Sequence, residues 1–191
     1  MKRIGLTGNI GSGKTIIACC FEILGIAVFN SDNEAKLLMN KDNDLKKSLI
    51  TEFGKYVYLN NELNRKYLSD LVFKDKLVLK KLNALVHPVV QDAFEKWSIQ
   101  QTGSYIIKET AILFESNTFE DLDAIICVSC PEDIRLKRIL NRDMLTEKEI
   151  RQRMNYQWAE VKKIYLSDYE IKNDNSCLVM PQILNIHNSL S

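Results

Sequence analysis

The residues from Gly8 to Thr15 have the types and the spacing of a phosphate-binding loop. They fit the pattern of Gly, four residues, Gly, Lys and then Ser or Thr. Glycine allows the backbone to take positive φ and to approach a polyphosphate closely, with successive N–H groups pointing inward. Lys14 can reach the β- and γ-phosphates, and the Thr15 hydroxyl can bind Mg²⁺. The residues expected to bind the phosphates are Gly8, Asn9, Ile10, Gly11, Ser12, Gly13, Lys14 and Thr15.

The segments on either side of this loop decide how much weight the motif carries. Residues 2–7 are mostly apolar and predict a buried parallel strand, and residues 15–24 predict a helix closed by Gly25. A strand, a glycine loop and a helix are the context that a phosphate loop requires. The alternative, a glycine-rich turn that binds nothing, is disfavoured by this context.

Asp32 is the first acidic residue after a second short apolar strand, predicted at 25–30. A helix begins here, with Ser31 or Asp32 predicted as its N-cap. Residues at the carboxyl ends of parallel strands face the ligand crevice, so we expect Asp32 near the phosphate loop. There it can act on a substrate hydroxyl or on Mg²⁺-bound water. A role as N-cap alone is the alternative, and both roles are compatible.

Further charged residues follow later strands. Arg138 and Arg142 are four residues apart on a predicted helix, hence on one face, which suits a clamp on a polyphosphate. The alternative is a solvated charged face. Glu109 and Glu115 lie near the predicted carboxyl edge of the sheet, where they can contact Mg²⁺-bound water or substrate, or be solvated loop carboxylates.

The surrounding pattern predicts an α/β fold with an insertion. Strands are predicted at 104–110, 123–129 and 169–172, a capping box at Thr146 and a last helix from Gln182. From about 41 to 102 the pattern is helical without strands, which is too long for a simple crossover and indicates an inserted helical subdomain. The His87-Pro88 pair is expected to break this pattern, with Pro88 in the first turn of a new helix.

Composition excludes several classes of protein. The 191 residues are 46% hydrophobic with three prolines, which suits one well-cored domain. A net charge of +1 gives no reason to expect nucleic acid or an acidic membrane as partner. Neither a signal peptide nor an apolar run of ~20 residues is evident, so we expect a soluble, cytoplasmic protein. Cys127 and Cys130 form a Cys-x-x-Cys without a second ligand pair, and buried reduced thiols are expected there.

The order of these features resembles the dephospho-coenzyme A kinase family over most of the chain. The matching positions are the phosphate loop, Ser31-Asp32 with Lys36, Asn64-Arg65, Leu71-Val72-Phe73, His87-Pro88, Ile112 to Glu115, Arg138, Arg142, Gln157, Ser167-Asp168 and Asn173. The loop alone would fit many kinases, and this combination is much more specific.

The resemblance implies a single P-loop kinase domain with a five-stranded parallel sheet flanked by helices. A nucleotide-binding core would span about 1–40 and 103–191, a helical coenzyme A-binding insertion about 41–102, and a lid about 135–160. The implied reaction is ATP-dependent phosphorylation of the ribose 3′-hydroxyl of dephospho-coenzyme A, the last step of coenzyme A biosynthesis. The expected partners are ATP, Mg²⁺ and dephospho-coenzyme A, and the expected state is a monomer or weak oligomer.

The resemblance also assigns roles to residues. Asp32 would be the base or orienter of the acceptor hydroxyl and would reach Mg²⁺ through water, with Thr15 as metal ligand. Lys14 and the lid arginines Arg138 and Arg142 would be catalytic, and Asn173 would contact the nucleotide. The residues facing the acceptor would be Asp32, Lys36, Arg65, His87 and Glu115.

Three positions depart from the family pattern. Lys36 replaces the usual Arg, which reduces a bidentate contact to a point charge. Ser31 replaces a common Ala, and Arg135 stands where Gln is usual. From the residues alone, His87 is more typical of a structural than of a catalytic histidine.

Other functions share parts of this pattern. A nucleoside monophosphate kinase, or another small-molecule P-loop kinase, would have the same donor site. A GTPase switch would need Asn-Lys-x-Asp, and Asn40 to Asn43 lacks the final Asp and falls in the helical block. The third strand is not followed by Asp-x-x-Gly either, which disfavours the switch. A purely structural domain leaves the loop unexplained.

Overall fold

The computed structural model describes residues 1–72 and 75–191. Two compact units make up this part of the chain. The first, called here the sheet unit, comprises Met1–Asn30 and Gln100–Ser191, and the second, called the helical unit, comprises Ser31–Ile99. Phe73 of the predicted Leu71-Val72-Phe73 motif lies outside the described residues.

The elements follow one another along the chain in an α/β order. They are β1 (Lys2–Thr7), α1 (Lys14–Ile23), β2 (Val28–Asn30), α2 (Ser31–Lys41), α3 (Asn43–Phe53), a 3₁₀ turn (Lys55–Val57), β3 (Tyr58–Leu59), β4 (Glu62–Leu63), α4 (Arg65–Val72), α5 (Lys76–Ser98), β5 (Tyr105–Glu109), β6 (Ala124–Ser129), α6 (Glu132–Arg142), α7 (Glu147–Met154), α8 (Glu160–Tyr165), β7 (Tyr169–Lys172) and α9 (Val179–Leu190).

The sheet unit is built on a five-stranded parallel sheet in the order β2-β5-β1-β6-β7. The central strand β1 pairs with β5 on one side and β6 on the other, with Leu6 opposite both Glu109 and Ile126. All residues of β5 are buried, as expected for a parallel strand covered on both faces. This sheet confirms the predicted fold class, and its parallel order brings the carboxyl ends of β1, β2 and β5 to one edge.

An apolar cluster formed by β1, α1 and α9 holds in place the strand and the helix on either side of the phosphate loop. Ile4 of β1, Ile17 and Phe21 of α1, and Ile183 of α9 are completely buried in one cluster. Removing such a side chain typically costs about 2–5 kcal/mol, so this cluster fixes the direction in which α1 leaves the loop.

The start of α2 differs from the predicted one. The helix begins at Ser31, directly after β2, so Ser31 and Asp32 lie inside its first turn and the N-cap assignment is wrong. The positive end of the helix dipole therefore stabilises the Asp32 carboxylate, and the side chain does not cap the helix. The helix α2 belongs to the helical unit.

The predicted helix break at Pro88 is wrong, because α5 runs without interruption through this residue. An interior proline removes one backbone hydrogen bond and costs about 3 kcal/mol. Val86, Val90 and Phe94 are buried at a spacing of four across the proline. Their continuous apolar stripe offsets the cost and keeps the two halves in one helix.

The helical unit contains a short antiparallel hairpin, contrary to the prediction that strands stop after residue 41. β3 and β4 are joined by Asn60 and Asn61, which both have positive φ, of 50° and 67°. Asparagine tolerates positive φ. A two-residue Asn-Asn connection between short strands is therefore a signal in the sequence for a hairpin. The Leu63 N–H donates to Asn40 Oδ1 at 2.9 Å and fixes the hairpin on α2.

The two cysteines of the Cys-x-x-Cys are buried and free, as predicted. Burial raises the pKa of the Cys127 thiol to about 12, and burial also raises that of Cys130. Neutral thiols of this kind are poor metal ligands and poor nucleophiles. In the part of the chain that the structure describes, no helix is both long and apolar enough to cross a membrane.

Candidate active site

The loop between β1 and α1 forms a backbone cradle that only glycine permits at its last position. Gly13 has φ of 91° and is the N-cap of α1, so the helix dipole points its positive end at the loop. A Cβ at Gly13 would collide with the Asn173 side-chain amide. The loop thus ends at a helix N-terminus, the backbone arrangement that binds phosphate.

A buried hydroxyl in this loop tests whether a phosphate group fits. Ser12 is 0% exposed, and its hydroxyl has no hydrogen-bond partner among the described residues. A buried polar atom without a partner costs about 1–3 kcal/mol. A hydroxyl donor left unsatisfied inside a glycine cradle matches the acceptor oxygens of a phosphate. The residues present therefore fit the polyphosphate predicted from the motif.

The next two residues are the predicted catalytic lysine and metal ligand. Lys14 opens α1 and is 8% exposed, whereas Thr15 is exposed. A lysine that is mostly withdrawn from water exerts a stronger electrostatic effect on a phosphate than a solvated one. The exposed Thr15 hydroxyl is open to a hydrated cation.

Arg138 and Asn173 meet at one carbonyl of the loop. Asn173 Nδ2 donates to Ser12 O at 2.7 Å, and Arg138 Nη1 lies 3.4 Å from the same oxygen. Arg138 Nη2 donates to Asn175 Oδ1 at 2.8 Å. The structure thus brings these two predicted residues to the phosphate loop.

Arg142 does not share the partners of Arg138, although it lies one turn further along α6. Its guanidinium makes two hydrogen bonds to the Asp143 carboxylate, at 2.9 and 3.0 Å, and its side chain is 64% exposed. This pair raises the pKa of Arg142 and lowers that of Asp143. An exposed pair contributes little to stability, so Arg142 can exchange Asp143 for another anion at small cost.

Two residues absent from the predicted site list contact the loop directly. Gln157 Oε1 accepts a hydrogen bond from the Ile10 N–H at 2.8 Å, and Arg135 Nη1 donates to Ile10 O at 3.4 Å. Arg135 is 5% exposed and faces Glu160 at 3.8 Å, and burial raises the pKa of that glutamate. Both positions stood out in the sequence, Gln157 as one that matches the family pattern and Arg135 as one that departs from it, but neither was assigned a contact with the loop.

Glu115, predicted to face substrate, is held inside the sheet unit. Its Oε1 accepts from the Trp158 N–H at 2.7 Å and pairs with Lys163 Nζ at 2.7 Å. Lys163 is completely buried and also donates to Ala111 O at 2.9 Å. The other carboxylate oxygen of Glu115 is buried and has no partner within the described ranges. A substrate-binding role for Glu115 stays a prediction and would have to use that oxygen.

We expect Lys163→Met to destabilise the protein by about 3 kcal/mol, because removing one partner of a buried ion pair leaves the other charge uncompensated. Urea unfolding measures the loss. Lys148→Met, at an exposed position of α7, is the matched control. Adding Glu115→Gln to Lys163→Met should recover part of the stability. Equal stability of Lys163→Met and wild type would show that the pair has no net stabilising effect.

The other acidic residue singled out at this edge, Glu109, lies at the end of β5. It is 3% exposed, and the Asn30 side-chain amide donates to its carboxylate. This hydrogen bond joins the carboxyl ends of β2 and β5.

The remaining predicted acceptor residues all belong to the helical unit. Asp32 and Lys36 lie one turn apart on α2, both exposed, and Lys36 Nζ contacts Asn33 Oδ1 at 3.4 Å. Arg65 is the exposed first residue of α4, and His87 is half-buried on α5. The structure groups these four in one unit, and their roles toward a substrate stay predictions.

The family model for dephospho-CoA kinase matches residues 2–178 of the chain. A dephospho-CoA kinase of Bacteroides fragilis is 32% identical over 96% of this chain and 90% of its own length, and one of Salinibacter ruber is 34% identical over 92% and 90%. Among solved structures, TT1252 from Thermus thermophilus superposes with a TM-score of 0.85 at 28% identity, covering 98% of this chain and 96% of its own. The dephospho-CoA kinase from Campylobacter jejuni gives 0.70 at 25% identity, covering 100% and 98%. The chain therefore belongs to the dephospho-CoA kinase family.

Proposed function

We propose that this enzyme transfers the γ-phosphoryl group of ATP to the ribose 3′-hydroxyl of dephospho-coenzyme A. The observation that carries the proposal is the phosphate loop, whose buried Ser12 hydroxyl has no partner in the described part of the chain and whose end is a helix N-terminus. Membership of the dephospho-CoA kinase family supports this choice of acceptor.

The loop residues would bind the donor. Lys14 and backbone N–H groups of the cradle would bind the phosphates, except those of Ile10 and Ser12, which donate to Gln157 Oε1 and Asn9 O. Asn173 and Arg138 would keep the Ser12 peptide in its orientation. Phosphoryl transfer demands mainly positioning and electrostatic stabilisation, so a rigid loop contributes directly to the rate.

Mg²⁺ would bind at the exposed Thr15 hydroxyl. Among residues 1–72 and 75–191, no group of three or more His, Cys, Asp or Glu side chains is arranged to hold a metal ion. The lack of such a group among these residues fits a Mg²⁺ ion that takes most of its ligands from phosphate oxygens and water. Bound Mg²⁺ would neutralise charge on the β- and γ-phosphates.

Asp32 would orient the acceptor hydroxyl and take its proton. The residue is exposed in the first turn of α2 and follows the carboxyl end of β2 by two residues. Lys36, Arg65 and His87 would contact the rest of the acceptor.

We predict that Arg138→Ala and Arg142→Ala each lower kcat by about 10- to 50-fold and weaken ATP binding less than this. The reason is that a guanidinium donates its charged hydrogen bonds best to the transferring phosphoryl group. Steady-state kinetics and ATP titration measure the two effects. Arg151→Ala is the control, because Arg151 is exposed and paired with Glu132 and Glu147. Unchanged kcat in either variant would assign that arginine to the solvated surface.

Product analysis tests the position of transfer. With ATP and dephospho-coenzyme A, we expect a product that is heavier by one phosphate, which two-dimensional ³¹P–¹H NMR locates at the ribose 3′-carbon. The 3′-deoxy analogue should bind and give no product. A phosphate at another position would refute the proposed acceptor hydroxyl.

A further inference from the structure

Ile10 lies in the middle of the phosphate loop and is held from three sides by later parts of the chain. Its N–H donates to Gln157 Oε1 at 2.8 Å, and its carbonyl faces Arg135 Nη1 at 3.4 Å. Its side chain packs against the apolar cluster that Ile139, Ile150 and Met154 form between α6 and α7. A loop residue is therefore fixed by backbone donor, backbone acceptor and side chain at once.

Gln157 is itself fixed by a second contact. Its Nε2 donates to Ala111 O at 3.2 Å, and Ala111 O also accepts from the buried Lys163 Nζ at 2.9 Å. The neighbouring residue adds a parallel link, because Asn9 Nδ2 donates to Trp158 O at 3.2 Å. The Trp158 N–H in turn donates to Glu115 Oε1 at 2.7 Å. Gln157 and Trp158 thus form a brace between the loop residues Asn9 and Ile10 and the segment 111–115.

This brace acts on a part of the loop that is rich in glycine. Glycine residues at positions 8, 11 and 13 flank it, all with positive φ, and glycine has more conformational freedom to lose than any other residue. For a loop that samples several conformations, the apparent Kd is the intrinsic Kd divided by the fraction of time spent in the binding conformation. An external acceptor for the Ile10 N–H reduces that sampling.

We propose that Gln157 is a positioning residue that holds the phosphate loop in its ATP-binding conformation through the Ile10 N–H. The inference rests on the proposed use of ATP at this loop. Gln157 acts through the backbone of Ile10 and is assigned no contact with substrate. Substituting it is therefore expected to change the affinity for ATP and not the affinity for dephospho-coenzyme A.

The first test compares two substitutions. Gln157→Leu removes the acceptor, and we expect the Kd for MgATP to rise about 5- to 10-fold, the range for one lost hydrogen bond. The Kd for dephospho-coenzyme A should change less than about twofold. Gln157→Glu keeps an acceptor for the Ile10 N–H, loses the donor to Ala111 O, which Lys163 still satisfies, and adds a negative charge beside the loop. Without ATP, this variant should protect the Ile10 amide from hydrogen exchange as wild type does, whereas Gln157→Leu should not.

Gln152→Leu is the matched control, because Gln152 is exposed on α7 five residues earlier in the chain. It should leave both affinities unchanged. The assignment is overturned if Gln157→Leu binds MgATP like wild type, or if it loses affinity for both substrates equally. The latter result would indicate a general structural role.

A measurement on the wild-type enzyme tests the same point without any variant. Hydrogen exchange followed by NMR in the absence of ATP should show the Ile10 amide protected, and fast exchange of this amide would overturn the inference. The proposed function fails separately: it fails if wild type does not phosphorylate dephospho-coenzyme A, whereas the positioning role fails if wild type is active and Gln157→Leu is unaffected.

Discussion

Lys14→Ala is expected to lower kcat by about 10³-fold, because it removes a cation from the β- and γ-phosphates in a site with little water. The lysine is 8% exposed at the start of α1, where its charge is only weakly screened. Its electrostatic effect should be larger in the transition state than in the bound ground state. We therefore expect ATP affinity to fall by a smaller factor than kcat.

A coupled assay of ADP release and a nucleotide titration measure these two effects. Lys148→Ala removes the same charge from an exposed position and should leave both unchanged. The melting temperature must stay near that of wild type for the comparison to hold. Near-normal turnover in folded Lys14→Ala protein would refute the assignment of this loop as the donor site.

Asp32→Asn is expected to lower kcat by about 10²-fold or more, the usual range for the loss of a general base. Asparagine keeps the size of the side chain and removes its charge and basicity. Because Asp32 lies in the first turn of α2 rather than at the N-cap, the cost in stability is only the lost interaction with the helix dipole, about 0.3–1 kcal/mol. ATP affinity should change by at most a few-fold.

Glu34→Gln provides the matched control for this prediction. Glu34 is the other acidic residue in the first turn of α2, so its amide variant loses the same interaction with the dipole. Its kcat should stay at the wild-type level. If Asp32→Asn and Glu34→Gln behave alike, Asp32 serves only the helix and the base lies elsewhere.

Local chemistry made the core of this fold predictable from the sequence. The bounds of β1 and β7 agree with prediction because each is a short run with loop residues at its ends, and β7 alternates apolar and charged residues. The capping box of Thr146 and Glu149 is present as predicted, since its two hydrogen bonds involve residues only three apart. The phosphate loop was recognisable for the same reason.

The features that could not be predicted from the sequence depend on packing between residues far apart in the chain. The buried stripe of α5 overrode the local preference of Pro88 to end a helix. The contact between Ile10 and Gln157 joins residues 147 positions apart, so no periodicity or short motif could reveal it. Lys163 likewise looked like one more charged residue until the structure paired it with Glu115.

A comparison of acceptors tests the central claim most directly. Purified wild-type enzyme with MgATP is offered dephospho-coenzyme A, or each of AMP, CMP, GMP and UMP, and ADP release is followed by the coupled assay. We predict that kcat/KM for dephospho-coenzyme A exceeds that for every nucleoside monophosphate by at least about 10³-fold, because only dephospho-coenzyme A supplies binding energy beyond the nucleotide. A nucleoside monophosphate used as well as dephospho-coenzyme A, or better, would contradict the account.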